Sequence, residues 1–283
     1  HHNQKAPKRH CFGAFFLSAH SCGSCSTAVV FPIMMQLQDI LFSQGFGTRR
    51  VCCGLVQQGL VQLGEQRQVC EDPAKVVDEQ GLVFWVQGER WEYHALAYLL
   101  LHKPAGTECS QKPSTYPSIY TLLPGPLRMR GGGAAAGVQA VGRLDQDTTG
   151  LLLLSDDGKF IHRLTSPRHH VPKVYEAQLK HPITPDQVAR LLAGVVLDDD
   201  PRPVKAAACR AVGEHHLQLT LTEGKYHQVK RMVAAVGNRV EGLHRSSIGG
   251  LQLSGELAPG QWRWLSGEEV AALTLKVPAS KPA

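Results

Sequence analysis

Gly142-Arg143-Leu144-Asp145-Gln146-Asp147-Thr148-Thr149-Gly150-Leu151-Leu152-Leu153-Leu154 sets a polar, charged loop directly before four consecutive leucines. A short apolar run bounded by turn residues reads as a strand buried on both faces, and Asp156-Asp157-Gly158 closes it. A loop fixed to such a strand is a firm platform for a reactive carboxylate, and Asp145 is the candidate. The same composition suits a hydrogen-bonded turn in which Asp and Thr hold the backbone. Taken alone, the loop leaves both readings open.

Outward from that strand the pattern mixes two periods. Upstream, Tyr98 to His102 reads as a strand entering the Lys103-Pro104-Ala105-Gly106 turn, and Gly131 to Ala136 reads as a mobile Gly/Ala loop. Downstream, Gly158 to Val174 carries Lys159, Arg163, Arg168 and Lys173 with no acidic residue, and His162, His169 and His170 lie among them. A solvated helix face usually mixes signs, so this run suits phosphate contact. Tyr175 follows, either as a packed strand aromatic or as a site residue. Thr184-Pro185 opens a helix that Gly194 ends. Leu217, Leu219 and Leu221 alternate with polar residues, as in a strand with one wet face. His227 to Val236 reads as a helix stopped by Gly237. Val229, Met232, Val233 and Val236 form its core stripe, and Lys230 and Arg231 flank it. Strands outnumber helices and most links are short, so the expected class is α+β with a largely antiparallel sheet.

The region before residue 96 reads as a smaller unit. Residues 1–33 start with His and hold only a short apolar patch at Phe12 to Leu17, too broken for a signal-peptide core. They read as a disordered or non-native leader, with order starting at Met34 or Met35. Leu37, Ile40 and Leu41 have helical spacing broken by Gly45 and Gly47, and Thr48 caps a second helix ending near Gly59. Leu60 to Leu63 and Leu82 to Val86 read as strands, and Gln87 to Glu92 as a polar link.

The totals bound the class. The chain has 283 residues, 43% hydrophobic and 19% charged, enough for one large domain and a smaller one. No run of about 18 uncharged apolar residues is present, so no membrane association is expected. The net charge of +6 suits a polyanionic partner. Cys22 and Cys25 form a C-x-x-C pair without a second spaced pair of Cys or His. No metal site is expected, and scattered thiols fit a reducing cytoplasm.

Residues 100–106, 141–175 and 222–250 together resemble the pseudouridine synthases, within them the bacterial branch that modifies small-subunit ribosomal RNA. The likeness covers nearly all of residues 96–275. It implies a pseudouridine synthase fold with an RNA-binding cleft. Asp145 matches the family's essential aspartate, Tyr175 the tyrosine lying against the target base, and Lys230 the cation pairing with the aspartate. Arg143, Arg163, Arg168, His169, Lys173, Lys225, His227 and Arg231 fall where RNA contact is implied.

Residues 35–88 resemble the small RNA-binding domain named for the fourth small-subunit ribosomal protein, with Arg49 and Arg50 placed to orient substrate. This module departs from its counterpart in charge, holding four basic against six acidic residues. Residues 89–95 read as a linker, 96–275 as the catalytic domain and 276–283 as a tail.

The resemblance implies conversion of a uridine to pseudouridine in ribosomal RNA, free or in an assembling small subunit; a monomer is the expectation for an enzyme that binds a large RNA, and the cytoplasm its expected place. Moving uracil from an N- to a C-glycosidic link needs neither redox change nor outside energy, so no cofactor is expected. A large-subunit target and a catalytically silent RNA-binding assembly protein are the alternatives. A hydrolytic N-glycosidase is a further one, but it needs a positioned water and a second acid/base group.

Overall fold

The computed structural model describes residues 34–131 and 137–274. The leader at 1–33 with Cys11, Cys22 and Cys25, the Gly/Ala loop at 132–136 and the tail at 276–283 lie outside the described residues.

The smaller module comprises β1 (Met34–Gln36), α1 (Leu37–Gln44), α2 (Arg49–Gln57), β2 (Val61–Leu63), β3 (Gln68–Val69), β4 (Val76–Asp78), β5 (Val83–Val86) and β6 (Glu89–Glu92). Gly45 stops α1 in the left-handed region, and the Thr48 hydroxyl caps α2 by accepting from the Val51 N–H. The helical spacing of Leu37, Ile40 and Leu41 aims them at Cys52, Val56, Phe84 and Val86, giving the module its own core.

The polar link expected at Gln87 to Glu92, and with it the linker at 89–95, is instead a hairpin, with β6 antiparallel to β5 and Trp85 opposite Arg90. Gln87 and Gly88 have φ of +52° and +88°, the left-handed pair that a two-residue hairpin turn uses. The module therefore runs on through Glu92.

The larger part comprises β7 (Tyr98–Lys103), α3 (Gly125–Met129), β8 (Gln139–Ala140), β9 (Thr149–Ser155), α4 (Gly158–Thr165), β10 (Lys173–Leu179), α5 (Pro185–Ala193), β11 (Val195–Leu197) and β12 (Asp200–Val204). It continues with β13 (Ala208–Gly213), β14 (His216–Leu221), α6 (Gln228–Ala235), β15 (Val240–Ile248), β16 (Leu251–Gln252), β17 (Trp262–Trp264) and α7 (Gly267–Thr274). The sheet has the order β13-β14-β10-β15-β9-β7-β17, with β16 beside β15 and β8 beside β9. Its pairings are antiparallel except that of β9 with β15. The α+β class with a largely antiparallel sheet is as expected.

The four leucines show why this sheet is a platform. Leu152 and Leu154 face a core that includes Leu99, Leu191, Val229 and Met232, under α5 and α6. Leu151 and Leu153 face the opposite core with Leu100, Phe160 and Leu164, under α4 and α7. All four are fully buried, each contributing about 2 kcal/mol of apolar burial. The loop before β9 is thus clamped from both faces.

The module is tied to the larger part by Arg130, which is 4% exposed. Its guanidinium donates to Gln44 Oε1 (2.8 Å), the His94 carbonyl (2.6 Å) and Asp156 Oδ2 (2.8 Å). Gly45 lies so close to α3 that a Cβ there would stand 2.1 Å from the Pro126 carbonyl oxygen.

Candidate active site

The loop carrying Asp145 is a turn built from backbone and held by a buried lysine. The Thr148 N–H donates to the Asp145 carbonyl (3.1 Å), and the Gly106 N–H donates to the Gln146 carbonyl (2.8 Å). Lys103, 0% exposed at the end of β7, donates Nζ to the carbonyls of Pro104 (3.0 Å), Gln146 (3.3 Å) and Thr148 (3.0 Å). Burial pulls its pKa below the ordinary lysine value, against the opposing influence of Cys109, Asp147 and Asp145. Lys103 thereby fixes the loop through the carbonyls of Gln146 and Thr148 and ties it to the turn at Pro104.

Behind the loop, Gly150 has φ +111°, and a Cβ there would stand 2.3 Å from the Arg245 carbonyl oxygen of β15. Only glycine permits this approach. Arg245, 2% exposed, donates Nε to the Leu151 carbonyl (2.8 Å). Its Cζ lies 6.0 Å from the centre of the Tyr175 ring. Tyr175 lies in β10, between Leu219 of β14 and Arg245 of β15. It belongs to the core under α5 and α6.

The cleft before this wall is lined by Arg143, Asp145, Thr148, Tyr175, Lys225 and His227, among others. Two polar atoms here have no partner within the protein among the described residues: the buried hydroxyl of Thr148 and Nη2 of Arg245.

Asp145 is half-buried and its two oxygens meet different groups. Oδ2 lies 3.2 Å from Lys230 Nζ and Oδ1 lies 3.3 Å from His227 Nε2. Lys230 also donates to both oxygens of Asp147, at 2.7 and 2.9 Å. For Asp147, burial works to raise the pKa, but Lys230 outweighs it and holds the carboxyl below its usual range. For Lys230, burial works to lower the pKa, and its bonds to Asp147 and Asp145 lift it above the ordinary value instead. The result is a compact cluster of two carboxylates, an ammonium and an imidazole.

Of the residues singled out in the sequence, Asp145, Tyr175, Arg143, Lys225 and His227 line one cleft, and Lys230 bonds to its carboxylate. Others lie elsewhere. Arg163 and His169 line a separate groove with Tyr98, Lys159 and Phe160, where α4 packs on the opposite core. Arg168 is exposed on a short 3-10 turn. Lys173 donates to the Val171 carbonyl (3.1 Å), and burial, aided by the charge of Arg245, brings its pKa down to about 8. Arg231 donates to the Tyr226 carbonyl and pairs with Asp199. Arg49 pairs with Asp39 and covers the Phe42 ring at 4.5 Å, while Arg50 is exposed on α2.

Asp147, Lys103 and Arg245 also build the site and are not among the residues that the sequence singles out. Asp147 sits two residues from Asp145 in the same loop, and that adjacency is its signal in the sequence. Among the described residues no group of three or more His, Cys, Asp or Glu is arranged to hold a metal ion, and no helix is long and apolar enough to cross a membrane.

Comparison with known proteins gives consistent matches. A family model described as RNA pseudouridylate synthase matches residues 97–235. The ribosomal small subunit pseudouridine synthase A of Pasteurella multocida is 45% identical over 174 residues, 62% of this chain and 72% of that protein. Its counterpart in Haemophilus influenzae is 38% identical over 219 residues, 77% of this chain and 85% of that protein. A crystal structure of a pseudouridylate synthase superposes with a TM-score of 0.59 at 33% identity, covering 85% of this chain and all of that one.

Proposed function

The chain belongs to the RNA pseudouridylate synthase family, and from that premise we propose that it isomerises one uridine of small-subunit ribosomal RNA to pseudouridine, with Asp145 as the reacting carboxylate. The observation that carries this reading is the shared cleft: Asp145 stands at it between Lys230 and His227, with Tyr175 in its wall.

The reaction breaks the N1–C1′ bond, rotates the uracil, joins C5 to C1′ and moves a proton from C5 to N1. Positive charge develops at C1′ as the base leaves, and the Asp145 carboxylate captures or stabilises it. The target base has to leave its stack, at a cost of a few kcal/mol. Tyr175 offsets part of this by stacking, worth about 1–3 kcal/mol per base. Arg143, exposed at the rim, meets the phosphate backbone, as does Lys225. Lys230 supplies positive charge beside Asp145 while sharing it with Asp147, so the carboxylate stays available to the sugar. No step calls for a cofactor. The protein acts as a cytoplasmic monomer on free ribosomal RNA or on an assembling small subunit.

Pseudouridine mapping of small- and large-subunit ribosomal RNA, incubated with the protein and with its Asp145→Asn variant, tests the reading. One new Asp145-dependent pseudouridine in small-subunit RNA is expected. RNA binding without any new pseudouridine, in either RNA or in partly assembled subunits, would overturn it in favour of a silent assembly protein.

A further inference from the structure

We infer that His227 is a positioning residue for Asp145, its ring Nε2 set against Oδ1 so that it fixes the orientation in which the carboxylate meets the sugar. The inference rests on the reading of Asp145 as the reacting group.

Four observations carry it. Lys230 is shared with Asp147 and comes nearest Asp145 at Oδ2, whereas His227 comes nearest at Oδ1, at 3.3 Å. His227 adopts φ +48° and ψ 34°, a left-handed conformation uncommon for a residue with a side chain. It stands at the cap position of α6 but makes no side-chain capping bond, so the ring is spent on the carboxylate instead. Tyr226, 75% exposed, stacks on the ring at 3.8 Å with an interplanar angle of 19°. An otherwise unemployed aromatic thus shields the imidazole and holds its plane.

The charged groups facing the ring are Asp145 and Asp147 from the loop before β9 and Lys230 from α6, with Glu223, Lys225 and Arg143 around the same cleft. Neutral, the imidazole orients the carboxylate and adds no charge. Protonated, it places a second cation against Asp145, in the cleft where positive charge must develop at C1′, and opposes that charge. Protonation of the ring should therefore lower activity.

Two variants separate side chain from backbone. His227→Gln retains a donor of the right reach but does not titrate. His227→Asn suits the left-handed backbone but is too short to reach Asp145. Single-turnover rates at saturating protein, from about pH 5 to 9, are the readout, with thermal melts to confirm folding. Asn should lower the rate about 10- to 100-fold, the value of a hydrogen bond to a charged group, with RNA affinity little changed. Gln should recover to within about fivefold of the wild type and lose the acidic limb of the wild-type pH profile. If the Gln variant keeps the wild-type limb, or if Asn alters RNA affinity alone, the inference falls. If the wild type forms no pseudouridine in any ribosomal RNA, the proposed function fails first.

Discussion

The ammonium of Lys230 lies 2.7 and 2.9 Å from the carboxylate oxygens of Asp147, nearer than its 3.2 Å approach to Oδ2 of Asp145. Asp147 thus restrains Lys230 from neutralising its neighbour. In Asp147→Asn the lysine is left to Asp145 alone, and a negative charge near the developing cation at C1′ is lost. The single-turnover rate should fall about 5- to 20-fold, equivalent to roughly 1–2 kcal/mol. RNA affinity should hold or improve, because one repulsive charge has gone. An unchanged rate would remove Asp147 from the site.

Lys103→Met keeps the bulk of the side chain and removes its ammonium, leaving the Thr148 carbonyl short of a donor and taking one of two donors from each of the Pro104 and Gln146 carbonyls. An unpaired buried acceptor costs about 1–3 kcal/mol and each further lost bond about 0.5–1.5, for a total of about 3 kcal/mol. Thermal denaturation should show a melting point lower by roughly 6–12 °C. A melting point within about 1 °C of the wild type would contradict the bonding described.

Lys173 offers a test of sign. Its folded-state pKa of about 8 lies below the ordinary value of 10.5, so its charged form is disfavoured by folding. Below pH 8 the group is protonated both folded and unfolded, and its burial destabilises the protein. Between about 8 and 10.5 the unfolded chain binds more protons, so stability contributed by this group rises with pH. Lys173→Met should therefore be more stable than the wild type at pH 7, with an advantage that shrinks as pH climbs through that window. Denaturant midpoints for the pair at pH 7 and 10 measure this, and a constant difference would refute it.

Arg130→Leu severs bonds to Gln44, His94 and Asp156 at once, leaving a carboxylate without its guanidinium. A loss of about 3 kcal/mol is expected. Because the module before residue 93 has its own core, the cooperative transition should also broaden or split. Calorimetry showing one unshifted transition would argue that Arg130 ties nothing together.

Much of this architecture was legible because single residues announce it. Thr48 and Thr184 cap α2 and α5 as their positions suggested, the latter with a reciprocal capping box to Gln187. The leucines of β9 declared a strand with two buried faces. The hairpin into β6 was hidden because Glu89-Arg90-Trp91-Glu92 lacks an apolar alternation, and because Gln87 is not a usual left-handed turn residue. Lys103 and Arg245 were illegible for another reason: a cation beside a turn or in a strand reads as solvated until carbonyls 43 or more residues away converge on it. The run from Arg163 to Lys173 was read by charge, whereas position relative to the sheet decides which of its members can reach the cleft.

In the sheet order, β15 lies between β9, which follows the Asp145 loop, and β10, which carries Tyr175. The two halves of the cleft therefore have no common edge until β15, which begins 65 residues after Tyr175, pairs with both strands. Translation delivers the chain from its N-terminus, and such non-local closure is slow. A nascent chain that has not yet produced Val240–Ile248 holds the aspartate and the tyrosine in the right order but not in register. Competence to modify RNA in this sense waits on one event, the pairing of β15 with the strands that carry the two halves of the cleft.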